Sequence, residues 1–165
     1  MTIPNILALD FDGVLCDGMR EYFEASRRTY TKIWPDAKVP DATLFPTFQA
    51  LRPVIMTGWE MPLLLRAIAQ ARPTSNLLQH WEAVRDELVQ SGKPHGEGLV
   101  SKLAHTLDEV RRDWIATDPR GWLECNVPYC ALDDVCRLLA QPEHAVLVTT
   151  KEGEFARQMV RRRSA

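Results

Sequence analysis

Several things are scarce in this chain, and each absence narrows its function. No apolar run approaches the length needed to span a bilayer, and the amino terminus lacks the basic region, uncharged apolar core and small-residue cleavage site of a secretory signal. The expectation is a cytoplasmic protein with no membrane partner. An excess of one charge is missing too: 20 Lys and Arg stand against 22 Asp and Glu, a formal net charge of −2, with a pI near 6.1. Basic residues gather only in short runs, Arg27-Arg28, Arg111-Arg112 and Arg161-Arg162-Arg163, so no nucleic-acid partner is expected. The four cysteines, Cys16, Cys125, Cys130 and Cys136, contain no Cys-x-x-Cys pair and have no histidines at zinc spacing. They read as reduced thiols rather than as a zinc site or a disulfide framework. No internal repeat is evident.

What is present is an ordinary globular composition: 165 residues, 45% apolar and 25% charged, enough for one domain or a small core with an insert. Tyr22, Phe23, Ser26, Tyr30 and Ile33 recur at helical spacing and predict a helix over 19–34, stopped by Pro35. Residues 35–46, rich in proline and aspartate, read as a connection, and the apolar segment 45–56 is interrupted by Pro46 and Pro53. Helices follow from Trp59 or Glu60 to Gln70, after a possible Asn76 cap to Gln90, and over 98–115, each with an apolar stripe. This middle looks like a helical cap. Beyond it come a turn through Asp118-Pro119-Arg120-Gly121, a short helix over 129–139, a buried strand over 144–150 and a last helix.

The stretch that carries chemistry lies near the start. An apolar run, Ile6-Leu7-Ala8-Leu9, ends in Asp10, Phe11, Asp12 and Gly13. Strand side chains alternate faces, so Asp10 and Asp12 project the same way and share one small volume. Two like charges held so close call for a cation, a shared proton or both. Gly13 permits a sharp backbone turn after the acids.

Asp10-Phe11-Asp12-Gly13-Val14-Leu15-Cys16-Asp17 resembles the first motif of the haloacid dehalogenase superfamily, whose phosphatase members carry Asp-x-Asp-Gly-(Thr or Val) after an apolar strand. Val146-Leu147-Val148-Thr149-Thr150-Lys151 resembles the second motif, a strand ending in Thr or Ser after a helical insert, as in the phosphoglycolate-phosphatase-like branch. The resemblance implies an α/β fold: an incomplete Rossmann-like parallel-sheet core from residues 1–18 and 120–165, with residues 19–119 inserted as a helical cap. It implies a magnesium-dependent phosphatase of a small phosphorylated metabolite working through an aspartyl phosphate. Asp10 is then the nucleophile and Asp12 the proton shuttle, both contributing to the Mg2+ site, Asp12 through its backbone carbonyl. Thr149, Thr150, Lys151 and Gly13 make up the phosphate-binding set.

Relatives continue with a phosphate-steadying lysine and a further acidic pair, whereas this chain stops at Arg161-Arg162-Arg163-Ser164-Ala165. The expectation is therefore a member truncated after the second motif, with turnover weakened or lost. An open sheet edge left beside the catalytic strand invites self-association. The alternatives are a β-phosphoglucomutase-like phosphomutase and a non-catalytic phosphate-binding or protein-binding remnant; a generic helical interaction protein would require the Asp10 to Thr149 geometry to be accidental. Asp17 reads as a turn or capping residue, and Asp133-Asp134 as a solvated helix face. Arg52, Thr57, Trp59 and Glu60 form a polar and aromatic cluster around Gly58, read first as cap-to-core packing.

Overall fold

The computed structural model describes residues 6–10, 12–92, 96–129 and 144–148. Along the chain these form β1 (Ile6–Asp10), β2 (Cys16–Asp17), α1 (Met19–Ile33), α2 (Phe45–Leu51) and α3 (Glu60–Ala69), then α4 (Thr74–Ser91), α5 (Glu97–Thr117), α6 (Pro119–Glu124), β3 (Val127–Pro128) and β4 (His144–Val148). Short 3-10 turns at Ala42–Leu44 and Arg52–Val54 flank α2.

The expected Rossmann-like parallel-sheet core is overturned: the described residues are mostly helical. Among the described residues β1 pairs in parallel with β4, and the other named strands form the two-residue antiparallel ladder of β2 with β3. The physical reason lies in where the apolar residues fall. The main hydrophobic cluster runs from Tyr22 to Val110 and is drawn from helices and their connections, so burial is achieved helix against helix rather than across a sheet. Val148, expected inside a buried strand, is 58% exposed.

The chain divides into two compact units, Met19–Pro119 and the pair of segments Met1–Gly18 and Arg120–Ala165. In the helical unit α3 is buried on nearly every side: Met61, Leu63, Leu64, Leu65 and Ala67 are all enclosed, the pattern of a central helix. Pro62 is accommodated because the first turn of a helix has no intrahelical use for its N–H. α1 turns Tyr22, Phe23, Ala25, Tyr30 and Ile33 inward, and Phe23 meets Phe45 and Phe48 edge-on at 5.4 Å each. α5 contributes Leu99, Leu103, Leu107, Val110 and Trp114 at three- and four-residue spacing. Gly92, at the end of α4, gives room for α5: a Cβ there would lie 2.3 Å from the Leu99 side chain.

The buried carboxylates inside this unit are matched. Glu21 of α1, fully buried, accepts from Arg111 Nε at 2.8 Å and from its Nη2 at 3.2 Å. Burial alone would weaken the Arg111 charge, but the attraction of Glu21 and its hydrogen bonds outweigh that and hold the guanidinium above its ordinary pKa. Each enclosed leucine contributes about 1.5–3 kcal/mol on burial, whereas a buried ion pair roughly breaks even against its desolvation. The leucines hold the helices together, and the pair fixes how α1 meets α5. No helix among the described residues is long and apolar enough to cross a membrane.

Candidate functional site

The acids sit where a short parallel ladder ends. β1 and β4 run in register from Ile6 opposite His144 to Asp10 opposite Val148. Both strands therefore finish together, and Asp10 is the last ladder residue of β1. Its side chain is exposed, whereas Asp12 is half-buried with its Oδ1 covered. Thr149, the next residue in sequence after Val148, lies outside the described residues, as do Thr150, Lys151, Cys130, Cys136 and Asp133-Asp134.

A tight turn follows the acids. Gly13 adopts a φ of +81°, in the left-handed region that favours glycine, and its N–H donates to the Cys16 carbonyl at 2.9 Å. The Gly13 amide is thus engaged in shaping the turn, and the turn is the role this structure gives it. Asp12 and Cys16 also form an isolated bridge. The chain then enters β2, whose Cys16 and Asp17 pair with Pro128 and Val127, and Tyr129 N–H extends the pairing to the Leu15 carbonyl at 3.1 Å. Residues 12–17 are in this way tied to residues 127–129 at the far end of the helical insertion. Partial burial, then Asp17 and Cys16, raises the Tyr129 phenol above its ordinary pKa. Asn126, buried, donates its side-chain amide to the Trp122 carbonyl at 2.8 Å and closes the end of α6. Asp17 closes β2 ahead of α1; Cys16 is buried and Cys125 partly exposed, and neither is in a disulfide.

The donor chemistry suits a hard divalent cation in part. Asp10 and Asp12 offer oxygen only, and Mg2+ is commonly held by one or two carboxylates together with waters and a substrate phosphate. Among the described residues no group of three or more His, Cys, Asp or Glu converges, so the fit rests on these two acids.

The second sequence-flagged cluster belongs to the helical unit. Glu60, 2% exposed, accepts from Thr57 Oγ1 at 3.0 Å and from Trp81 Nε1 at 2.8 Å. Arg52 does not join it; its guanidinium lies over the Tyr22 ring, 5.3 Å from the centroid. Trp81 and Arg85, whose Nη1 lies 3.8 Å from Glu60, escaped the sequence reading because 21 and 25 positions separate them from Glu60 and no helical period links residues so far apart.

Comparison of the chain with protein-family models, with curated proteins and with solved structures found no match, so the resemblance to the haloacid dehalogenase superfamily rests on the residues of this chain alone.

Proposed function

We propose that the paired acids after β1 form the nucleophilic end of a phosphoryl-transfer site, making the protein a magnesium-dependent phosphatase of a small phosphorylated metabolite. The observation that carries this reading is the parallel register of β1 with β4, which ends Asp10 opposite Val148, directly before Thr149 in the chain. Carboxyl ends of adjacent parallel strands are where such ladders present reactive groups.

Asp10, exposed at the end of β1, is the acid assigned to attack the phosphorus atom. Its carboxylate oxygen forms the new P–O bond as the bond to the leaving alkoxide breaks, and Asp12 passes a proton to that alkoxide. Water then attacks the aspartyl phosphate while Asp12 takes its proton, inorganic phosphate departs, and both acids return to their starting state. The left-handed turn at Gly13 ties the backbone beside Asp12 to Cys16. Mg2+, held by Asp10 and Asp12, would supply positive charge beside the phosphoryl oxygens.

The test is hydrolysis of p-nitrophenyl phosphate by the full chain, with Mg2+ or with a chelator, together with hydroxylamine-sensitive labelling from a radioactive phosphodonor. Wild type should turn over and become labelled only with Mg2+. Asp10→Asn should lose both, with turnover down about a thousandfold or more, in the range removed with a catalytic nucleophile. Asp12→Asn should keep some label and lose turnover. Equal activity in wild type and Asp10→Asn, or no turnover and no label, rejects the proposal. Mg2+-dependent phosphate binding without label points instead to the non-catalytic remnant.

A further inference from the structure

We infer that α4 is a latched element: the hydrogen bond from Trp81 to the buried Glu60 of α3 holds it broken at His80, and the helix runs continuous once that bond is removed. Within α4, His80 has a φ of −134° and a ψ of 30°, outside the helical range, with helix on both sides of it.

Nothing local accounts for the break. α4 contains neither proline nor glycine, the residues that most often bend a helix. Its apolar stripe passes straight through: Leu77, Trp81, Val84 and Leu88 are all buried and follow one another at three- and four-residue spacing. A sequence with that pattern specifies one continuous amphipathic helix. Where the local pattern and the backbone disagree, the cause is a contact from elsewhere in the fold.

That contact is Glu60. It lies in the first turn of α3 and is 2% exposed, so its carboxylate needs hydrogen-bond donors from the protein. Thr57 Oγ1 supplies one at 3.0 Å and Trp81 Nε1 another at 2.8 Å, while Arg85 Nη1 stands further off at 3.8 Å. Trp81 is the residue directly after the break. Two effects compete here. Leaving the buried carboxylate short of a donor would cost its desolvation without return. Breaking the helix frees backbone groups, but Leu78, Gln79, His80, Glu82 and Ala83 around the break are exposed, so water satisfies those groups at little cost. The carboxylate wins. Leu77, fully buried, pins the stretch before the break, so the change of direction falls between Leu77 and Trp81, where His80 lies. Thr57 before α3, Glu60 in α3 and Trp81 in α4 thus act as one unit, and a change at the Glu60 carboxylate is carried to the backbone of α4.

The test is amide hydrogen exchange of the full chain, read by NMR together with the Cα chemical shift of His80. In a continuous helix the N–H groups of Trp81 to Val84 bond the carbonyls of Leu77 to His80, so their protection reports whether the ladder crosses the break. Wild type should exchange rapidly at Glu82 and Ala83 and show a non-helical His80 shift. Trp81→Phe, which keeps an aromatic ring and removes the N–H, and Glu60→Leu should each slow exchange at Glu82 and Ala83 by about tenfold or more and bring the His80 shift into the helical range. Glu60→Gln, which keeps an acceptor oxygen, should behave as wild type. A destabilised variant exchanges faster throughout, so slower exchange at these two amides is not a by-product of poor folding. A helical His80 in wild type, or exchange slowed in neither Trp81→Phe nor Glu60→Leu, overturns the inference. Phosphatase activity does not enter the readout, so failure here and failure of the Asp10 reading are separate results.

Discussion

At the residue scale the most consequential polar contact is the Glu21–Arg111 pair between α1 and α5. Its two hydrogen bonds and the complete burial of Glu21 mean that removing the cation strands a carboxylate with no water to solvate it. Arg111→Met should destabilise the protein by about 3–5 kcal/mol, measured by urea denaturation at neutral pH. Glu21→Gln combined with Arg111→Met should cost clearly less than the two single losses added together, and strict additivity would show that the two residues act independently. Asp41 is the opposite case, an exposed cap. Its carboxylate accepts from the Thr43 N–H at 2.8 Å, and that backbone hydrogen bond, followed by one from the Thr43 side chain, holds the carboxyl below its ordinary pKa. A folded-state value below the unfolded one gives stability that is present above the unfolded value and lost as pH falls through the folded one. The thermal midpoint of Asp41→Ala should therefore trail wild type near neutrality and approach it in the acid range. A gap of constant size at all pH values would mean that the charge has no part in the cap.

At the scale of elements the end of α3 carries an avoidable cost. Ala71 N–H donates to the Ile68 carbonyl at 2.9 Å and Arg72 N–H to the Ala67 carbonyl at 3.1 Å, the paired closure that helices make around a left-handed residue. That residue is Ala71, with φ +56°, where a Cβ is unfavourable. Ala71→Gly should stabilise the protein by about 0.5–1 kcal/mol, the relief of the left-handed strain less the added freedom of the unfolded chain; a lower denaturation midpoint would contradict this. The same elements show what the sequence could and could not reveal. The apolar stripes of α1, α3 and α5 were legible to within one or two residues, because burial on one face imposes the helical period directly on the sequence. Pro46 and Pro119 misled: each read as an interruption or turn, yet both stand at or next to the first position of a helix, α2 and α6, where a missing N–H costs nothing. The break at His80 was invisible, since no proline or glycine marks it and the neighbouring Trp81 donates to Glu60, 21 positions away. In the candidate site the Gly13 turn was legible because glycine is a local signal. The pairing of Cys16 and Asp17 with Pro128 and Val127 was not, because it joins residues on either side of the helical insertion.

At the scale of the whole molecule the hydrophobic cluster decides what depends on what. Every member, from Tyr22 to Val110, falls within residues 19–119, and so do the partly buried side chains packed on it, from Met19 and Trp34 to Val100. The Glu21–Arg111 pair and the Glu60 network lie inside the same bounds. A unit that contains its own core and satisfies its own buried charges meets the physical requirement for folding alone. Residues 19–119 expressed by themselves should show strongly helical circular dichroism and a single cooperative urea transition with an m value of about 1–3 kcal/mol/M. The fragment should also retain its near-ultraviolet Trp signal, which reports fixed packing around Trp81 and Trp114. Loss of that signal with helix content intact would describe a collapsed state without fixed packing and would make the helical unit dependent on the segments around it. If the fragment folds, the helical unit is stable without the segment that carries the Asp10 turn. The sequence of the turn is then constrained by its own chemistry and by the short ladders of β1 with β4 and β2 with β3, and substitutions at Asp10 and Asp12 can be judged by their effect on phosphoryl chemistry without a confounding loss of the helical core.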